Sequence, residues 1–181
     1  MIIVFEGPDG TGKTTQSMLL AKQLNGIYIK FPNERLYSGE ILRKILDKEL
    51  PYEPVSFQAL QTINRLETVK EILQAERTHM YVILDRYYLS SIVYGQCDEV
   101  QRDWIIKISR LLPMPYITFI IVGEPYSKDV DIYGDDEKQE KITKKYLEES
   151  DKIPGRVEII DSTQGFENVH AEIRAKLEVL L

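Results

Sequence analysis

The chain has 181 residues, 43% of them hydrophobic and 29% charged, with a net charge of -6. That length suffices for one domain around a buried core, and no apolar run approaches the roughly 20 residues that span a bilayer, so no membrane partner is expected. The negative balance argues against a broad nucleic-acid surface, which is usually basic, yet a few cations and backbone amides can still hold a small anion. The opening Met1-Ile2-Ile3-Val4-Phe5 lacks a basic segment and a small-residue cleavage site, and reads as a strand rather than a signal peptide. Further Val/Ile-rich runs follow at Ile27–Ile29, Tyr81–Leu84, Ile117–Val122 and Val157–Ile160, each bounded by turn or charged residues, as strands buried on both faces would be. Cys97 is the only cysteine, so no internal disulfide forms and a reducing cytoplasm is the expected location.

Helical periods lie between these runs. Leu19, Leu20 and Leu24 follow the first glycine loop. Phe57, Leu60, Ile63, Leu66, Val69 and Leu73 step by three or four and predict a long core-facing stripe. Val100, Trp104, Ile108 and Leu111 form another, and Val169, Ile173, Leu177 and Leu180 the last. Strand–helix alternation predicts an α/β fold with a five-stranded parallel sheet and helices on both faces, a three-layer arrangement over residues 1–181 as one domain. Ligands in such sheets sit at the carboxyl ends of the strands.

After the first strand comes Gly7-Pro8-Asp9-Gly10-Thr11-Gly12-Lys13-Thr14, which fits the phosphate-loop pattern G-x-x-x-x-G-K-[ST] at every fixed position. Glycines let successive N–H groups turn inward toward phosphate oxygens. Lys13 can reach the β- and γ-phosphates of ATP, the Thr14 hydroxyl can hold Mg²⁺, and the helix that begins here adds its positive end. Gly7, Asp9, Gly10, Thr11, Gly12, Lys13, Thr14 and Thr15 are the expected ATP-binding residues. The third apolar run ends in Asp85-Arg86. A carboxylate there suits the outer shell of Mg²⁺, through water, and the guanidinium beside it suits phosphate oxygens. Thr14 and Asp85 are therefore the expected metal residues, and Lys13, Asp85 and Arg86 the expected catalytic ones.

These residues resemble the thymidylate kinases, a P-loop NTPase family of nucleoside monophosphate kinases. Phe5-Glu6-Gly7 through Gln16 is similar to its first motif, Phe31-Pro32 to its second, Asn64-Arg65 to its third, and Asp85-Arg86-Tyr87 with Ser90 and Tyr94 to its fourth. Asp161-Ser162-Thr163-Gln164 resembles its adenine-side loop. The resemblance implies transfer of the γ-phosphoryl of ATP to dTMP, with Mg²⁺, in a homodimer. It implies that Asp9 bonds the sugar 3′-hydroxyl of the acceptor, that Arg65 and Arg86 grip its phosphate, and that Ser90 and Tyr94 line the pocket for its base and sugar, with Phe31 beside them. It also implies a lid at about 124–137 and a Phe31–Pro32 bond that is often cis.

The chain departs from the family pattern in three places. The family's catalytic arginine stands in the phosphate loop or the lid. Here the loop has Gly10 and the lid no arginine, leaving Lys128, or Lys138 and Lys141, as substitutes. Gln61 replaces the phenylalanine expected to stack on thymine. Either it bonds a base edge or the base specificity is different or broader. Arg35 follows Phe31-Pro32 one residue late, and either reaches the acceptor phosphate or serves the surface.

The acceptor is itself a phosphate with a second pKa of about 6, already largely dianionic at neutral pH. No protein base is required, so His79 and His170 read as surface or structural groups. A deoxynucleoside kinase, which shares the fourth motif, would need a carboxylate base near its sugar hydroxyl. Lys30-Phe31-Pro32 offers none where such enzymes carry it.

Overall fold

The computed structural model describes residues 1–78, 81–126, 132, 133 and 135–179. Strands β1 (Ile2–Glu6), β2 (Ile27–Lys30), β3 (Val82–Asp85), β4 (Ile117–Val122) and β5 (Arg156–Asp161) alternate with helices α1 (Lys13–Gln23), α2 (Tyr37–Leu46), α3 (Pro54–Arg77), α4 (Tyr88–Cys97), α5 (Arg102–Ile108), α6 (Asp136–Ser150) and α7 (Phe166–Glu178). The strands form one five-stranded sheet in the order β2-β3-β1-β4-β5, and every pairing is parallel.

Alternate side chains of each central strand leave opposite faces of the sheet, and both sets are apolar. Ile3, Phe5, Ile83, Phe119 and Ile121 pack with Leu20 of α1 and Ile173 of α7. Ile2, Val4, Val82 and Leu84 pack on the other side with Ile72 and Ala75 of α3. This double burial explains the unbroken apolar runs in the sequence. It does not extend to the edges, where Ile159 of β5 is 45% exposed and β2 fully buries only Ile29. An edge strand has one flank without a partner strand, and the helices do not cover these two completely.

The expected core stripe of α3 holds only in part: Phe57 is buried, and Leu60, Leu66 and Val69 lie partly buried against the core. Ile63 and Leu73 are exposed, while Gln58, Gln61, Thr62, Asn64, Arg65 and Thr68 are buried. Gln58, Gln61 and Arg65 face a cleft, Asn64 and Thr68 face the β2–α2 connection, and Thr62 bonds the Gln58 carbonyl of its own helix. Asn64 accepts from the Asn33 N–H at 2.7 Å and donates to Ser38 Oγ at 2.8 Å, so its burial is satisfied. The next stripe holds at Val100, which is buried, and at Trp104, which packs against the core, and fails beyond them: α5 ends at Ile108 and passes into a 3₁₀ turn, which breaks the period and leaves Leu111 76% exposed. In α7, Val169, Ile173 and Leu177 are buried as expected. Leu180 and His79 lie outside the described residues.

Candidate active site

β1 delivers its last residues between β3 and β4, and the chain then curls into the loop that starts α1. At Gly7 the backbone has φ 134°, and a Cβ would lie 2.1 Å from the Ile121 carbonyl oxygen. Only glycine passes β4 that closely. Thr11 Oγ1 braces the loop on Pro8 O at 3.0 Å. Lys13, 5% exposed, donates to the same carbonyl. Burial, with Arg86 nearby, lowers its ammonium to about 8 against the pull of Asp9 and Asp85.

The parallel register sets Asp85 beside Phe5, so the β3 carboxylate emerges next to the loop. Its Oδ2 accepts from Thr14 Oγ1 at 2.6 Å and from the Tyr28 hydroxyl at 3.0 Å. Among the described residues no three His, Cys, Asp or Glu side chains meet to hold a metal ion. One hydroxyl and one carboxylate fit an ion that keeps waters and takes its other ligands from phosphates, as Mg²⁺ does.

At Arg86 the chain takes φ 68° and turns from β3 toward α4. Its guanidinium donates to Gly7 O at 3.2 Å, Ser90 Oγ at 3.1 Å and the Tyr146 hydroxyl at 3.2 Å, and pairs with Asp9 Oδ1. Asp9 Oδ2 accepts from Tyr94 OH at 2.8 Å. Burial opposes ionisation of Asp9, but Arg86 and Lys13 outweigh it and hold the carboxyl at about 2. Burial likewise opposes the charge on Arg86, and Asp9 raises it well above its usual value.

Two clefts meet at this pair. One is the phosphate cleft, lined by the loop from Asp9 to Gln16, by Asp85, and farther out by Tyr126, Ser162 and Phe166. The other is lined by Phe31, Gln61, Arg65, Ser90 and Tyr94, with Gln58 and Tyr133. Asp9 and Arg86 line both. Arg65, 2% exposed, donates to Ser91 Oγ at 2.9 Å, sits 5.8 Å from the centre of the Phe31 ring and leaves its Nε unpaired. Burial lowers its guanidinium to about 10. The Phe31–Pro32 bond is cis.

The candidates read from sequence therefore converge, with exceptions. Arg35 bonds Asn33 and pairs with Glu71 at 3.2 Å on the surface, and lines neither cleft. Lys138 donates to Ile132 O at 3.0 Å and Lys141 to Cys97 O at 2.8 Å, so neither faces the phosphate loop. Lys128 lies outside the described residues. His170 bridges Gln16 and Gln23 of α1, each at 2.9 Å.

Sequence reasoning missed five supports. Glu6, 0% exposed, accepts from the Tyr87 and Ser90 N–H groups at 2.8 and 3.1 Å, from Ser90 Oγ at 2.6 Å and from Tyr146 OH at 3.2 Å. It caps the start of α4, and burial raises its carboxyl above the usual range. An acid at the end of an apolar strand was the available signal. Ser91 and Gln58 were legible only as polar neighbours of Ser90 and Gln61, and Tyr28 and Tyr146 gave no signal.

The chain matches the thymidylate kinase family model over residues 5–173. It is 34% identical to the probable thymidylate kinase of Methanocaldococcus jannaschii over 179 residues, covering 96% of this chain and 93% of that one. To the thymidylate kinase of Plasmodium falciparum it is 30% identical over 181 residues, covering 94% and 86%. The solved thymidylate kinase of Candida albicans shares the fold with a TM-score of 0.87 at 22% identity, over 98% of this chain and 91% of that one. That of Ehrlichia chaffeensis does so with 0.82 at 28% identity, over 98% of each. Family model, relatives and fold all span the residues that build the two joined clefts, and the chain belongs to the thymidylate kinase family, a family of phosphotransferases.

Proposed function

We propose that ATP occupies the phosphate cleft, dTMP the neighbouring cavity, and that the γ-phosphoryl passes directly between them at the Asp9–Arg86 wall to give ADP and dTDP. The carrying observation is that these two residues line both clefts. The loop amides and Lys13 hold the donor phosphates. Arg86, fixed by Asp9, Gly7, Ser90 and Tyr146, and Arg65 hold the acceptor phosphate. Thr14, with Asp85 through water, would hold Mg²⁺, which supplies positive charge to the bridging phosphate oxygens when bound. The acceptor is its own nucleophile, so alignment and charge suffice. A sugar-hydroxyl acceptor would need a base, and Asp9, the carboxylate of this wall, is held at about 2, too acidic for that task.

The chain acts as one domain with a lid at about 124–137. Tyr126 supports this by donating its N–H to Gly10 O at 2.8 Å, and Tyr133 by lining the acceptor cavity. A homodimer fits the apolar side chains that α2 and α3 leave exposed, among them Ile41, Ile63 and Leu73. A cytoplasmic location fits the single cysteine, Cys97. No described helix is long and apolar enough to cross a membrane.

The test is ADP release in the presence of dTMP, dUMP, dCMP, dGMP, dAMP and their ribose forms. dTMP is expected among the best acceptors. A profile in which dTMP is poor, or in which no monophosphate releases ADP, overturns the reading.

A further inference from the structure

Gln58 stands in the wall of the acceptor cavity. It is 1% exposed, and its Oε1 is buried without a hydrogen-bond partner. A buried carboxamide left unsatisfied is destabilising, and native structures rarely keep one unless a ligand or water completes it. Its seat is built closely. A Cβ at Gly95 of α4 would lie 2.4 Å from Ile105 Cδ1 of α5, so only glycine admits that side chain, and it would meet Gln58 Cγ at 3.4 Å, so the Gln58 arm lies against α4 with no room to spare. Gln58, Gln61 and Arg65 fall at i, i+3 and i+7 of α3, on one face.

Position along the cavity assigns the partner. Asp9 and Arg86 line both clefts, which places the acceptor's phosphate at their end, and Gln58 lies seven residues, about 10 Å along α3, from Arg65, the other residue given to that phosphate. The other end of a nucleotide is its base. A carboxamide presents a carbonyl acceptor and an N–H donor on one edge. Thymine presents the complement, the N3–H beside a ring carbonyl. We infer that Gln58 is a specificity-determining residue whose carboxamide takes the N3–H and adjacent carbonyl of the acceptor base. This rests on the acceptor being a nucleotide bound in this cavity.

The test compares dTMP with N3-methyl-dTMP on the wild-type protein, on Gln58→Met and on Gln58→Asn, which keeps the amide on a shorter arm. With wild type, the methyl group is expected to raise KM about tenfold or more. Gln58→Met is expected to raise KM for dTMP to a similar degree, with kcat within about twofold. In either variant the methyl penalty should shrink to about twofold, because the bond it blocks is already gone. A wild-type KM for dTMP in Gln58→Met, or an equal methyl penalty in wild type and variants, overturns the role of Gln58. If Gln58→Met does not fold, Gln58→Asn decides by the same criterion. Wild-type protein that fails to phosphorylate dTMP at all would overturn the function itself. Good turnover of dTMP with an unchanged methyl penalty would remove only this inference.

Discussion

Thr14 of α1 donates its hydroxyl to Asp85 of β3 at 2.6 Å, so the first turn of the phosphate-binding helix is tied to the strand end that faces it. Tyr28 holds the same carboxylate oxygen from β2 at 3.0 Å. When Thr14 turns toward a metal, Tyr28 still fixes Asp85. Replacing Asp85 by Asn removes the charge and keeps the shape. The expected outcome is a rise of about 10- to 100-fold in the Mg²⁺ concentration that half-saturates turnover, with KM for the acceptor little changed. Rates measured across a Mg²⁺ series check this, as does Mn²⁺ affinity by spin resonance. An unaltered metal dependence would remove Asp85 from the metal's surroundings.

Lys13 carries a charge in a place that suits phosphate better than it suits the empty fold. Burial, with Arg86 nearby, lowers its pKa to about 8 from an ordinary 10.5. The folded state therefore binds this proton less tightly than the unfolded state, and stability rises with pH between those two values. Lys13→Met should abolish phosphoryl transfer and yet stabilise the ligand-free protein by about 1–3 kcal/mol below pH 8. The advantage should shrink as pH climbs from 8 toward 10.5. Urea unfolding at several pH values measures it, and a less stable Lys13→Met at pH 7 would contradict the argument.

The phosphate loop was legible because one contiguous segment carries all of it, and the sheet because both of its faces are apolar. The acceptor side was not legible in the same way. Motif likeness named Gln61 and Arg65, but period arithmetic follows apolar residues alone, so it passed over Gln58 and set Ile63 and Leu73 inward, where the structure exposes them. Such a helix buries polar groups toward a ligand cavity, and only tertiary structure reveals that. Glu6 and Tyr146 are separated by 140 positions, and their hydrogen bond at 3.2 Å exists only once α6 packs on α4. Lys138 was a reasonable substitute for an absent arginine by position, yet its ammonium ends on Ile132 O.

Asp9 is the opposite case to Lys13. Burial alone would raise its carboxyl, but Arg86 and Lys13 bring it from 3.8 to about 2. Its folded pKa is depressed, so the stabilisation is complete above the unfolded value and is lost as pH falls through the folded one. Asp9→Asn should lower stability by about 2 kcal/mol at pH 7. The difference from wild type should close as pH falls from 3.8 toward 2. Denaturant midpoints followed from pH 7 to pH 2 test this, and a gap that persists at pH 2 would assign the loss to packing instead.

Tyr146 is fully buried, and its hydroxyl touches Glu6 Oε2 at 3.2 Å, Ser90 Oγ at 2.9 Å and Arg86 Nη1 at 3.2 Å. It serves Glu6 as donor and Arg86 as acceptor, so it links the carboxylate that caps α4 to the guanidinium that faces the phosphates. Tyr146→Phe keeps the ring, which packs edge-on against Tyr94 at 6.3 Å, and deletes all three contacts. A buried carboxylate that loses one donor keeps its desolvation penalty, so stability should fall by about 1–2 kcal/mol. Arg86 retains Asp9, Gly7 O and Ser90, so its charge stays in place with more freedom. The expected catalytic effect is a rise in acceptor KM of about two- to tenfold without loss of ATP binding. Acceptor and ATP saturation curves on the variant separate these outcomes. Weakened ATP binding with an unchanged acceptor KM would place Tyr146 on the donor side of the Asp9–Arg86 wall.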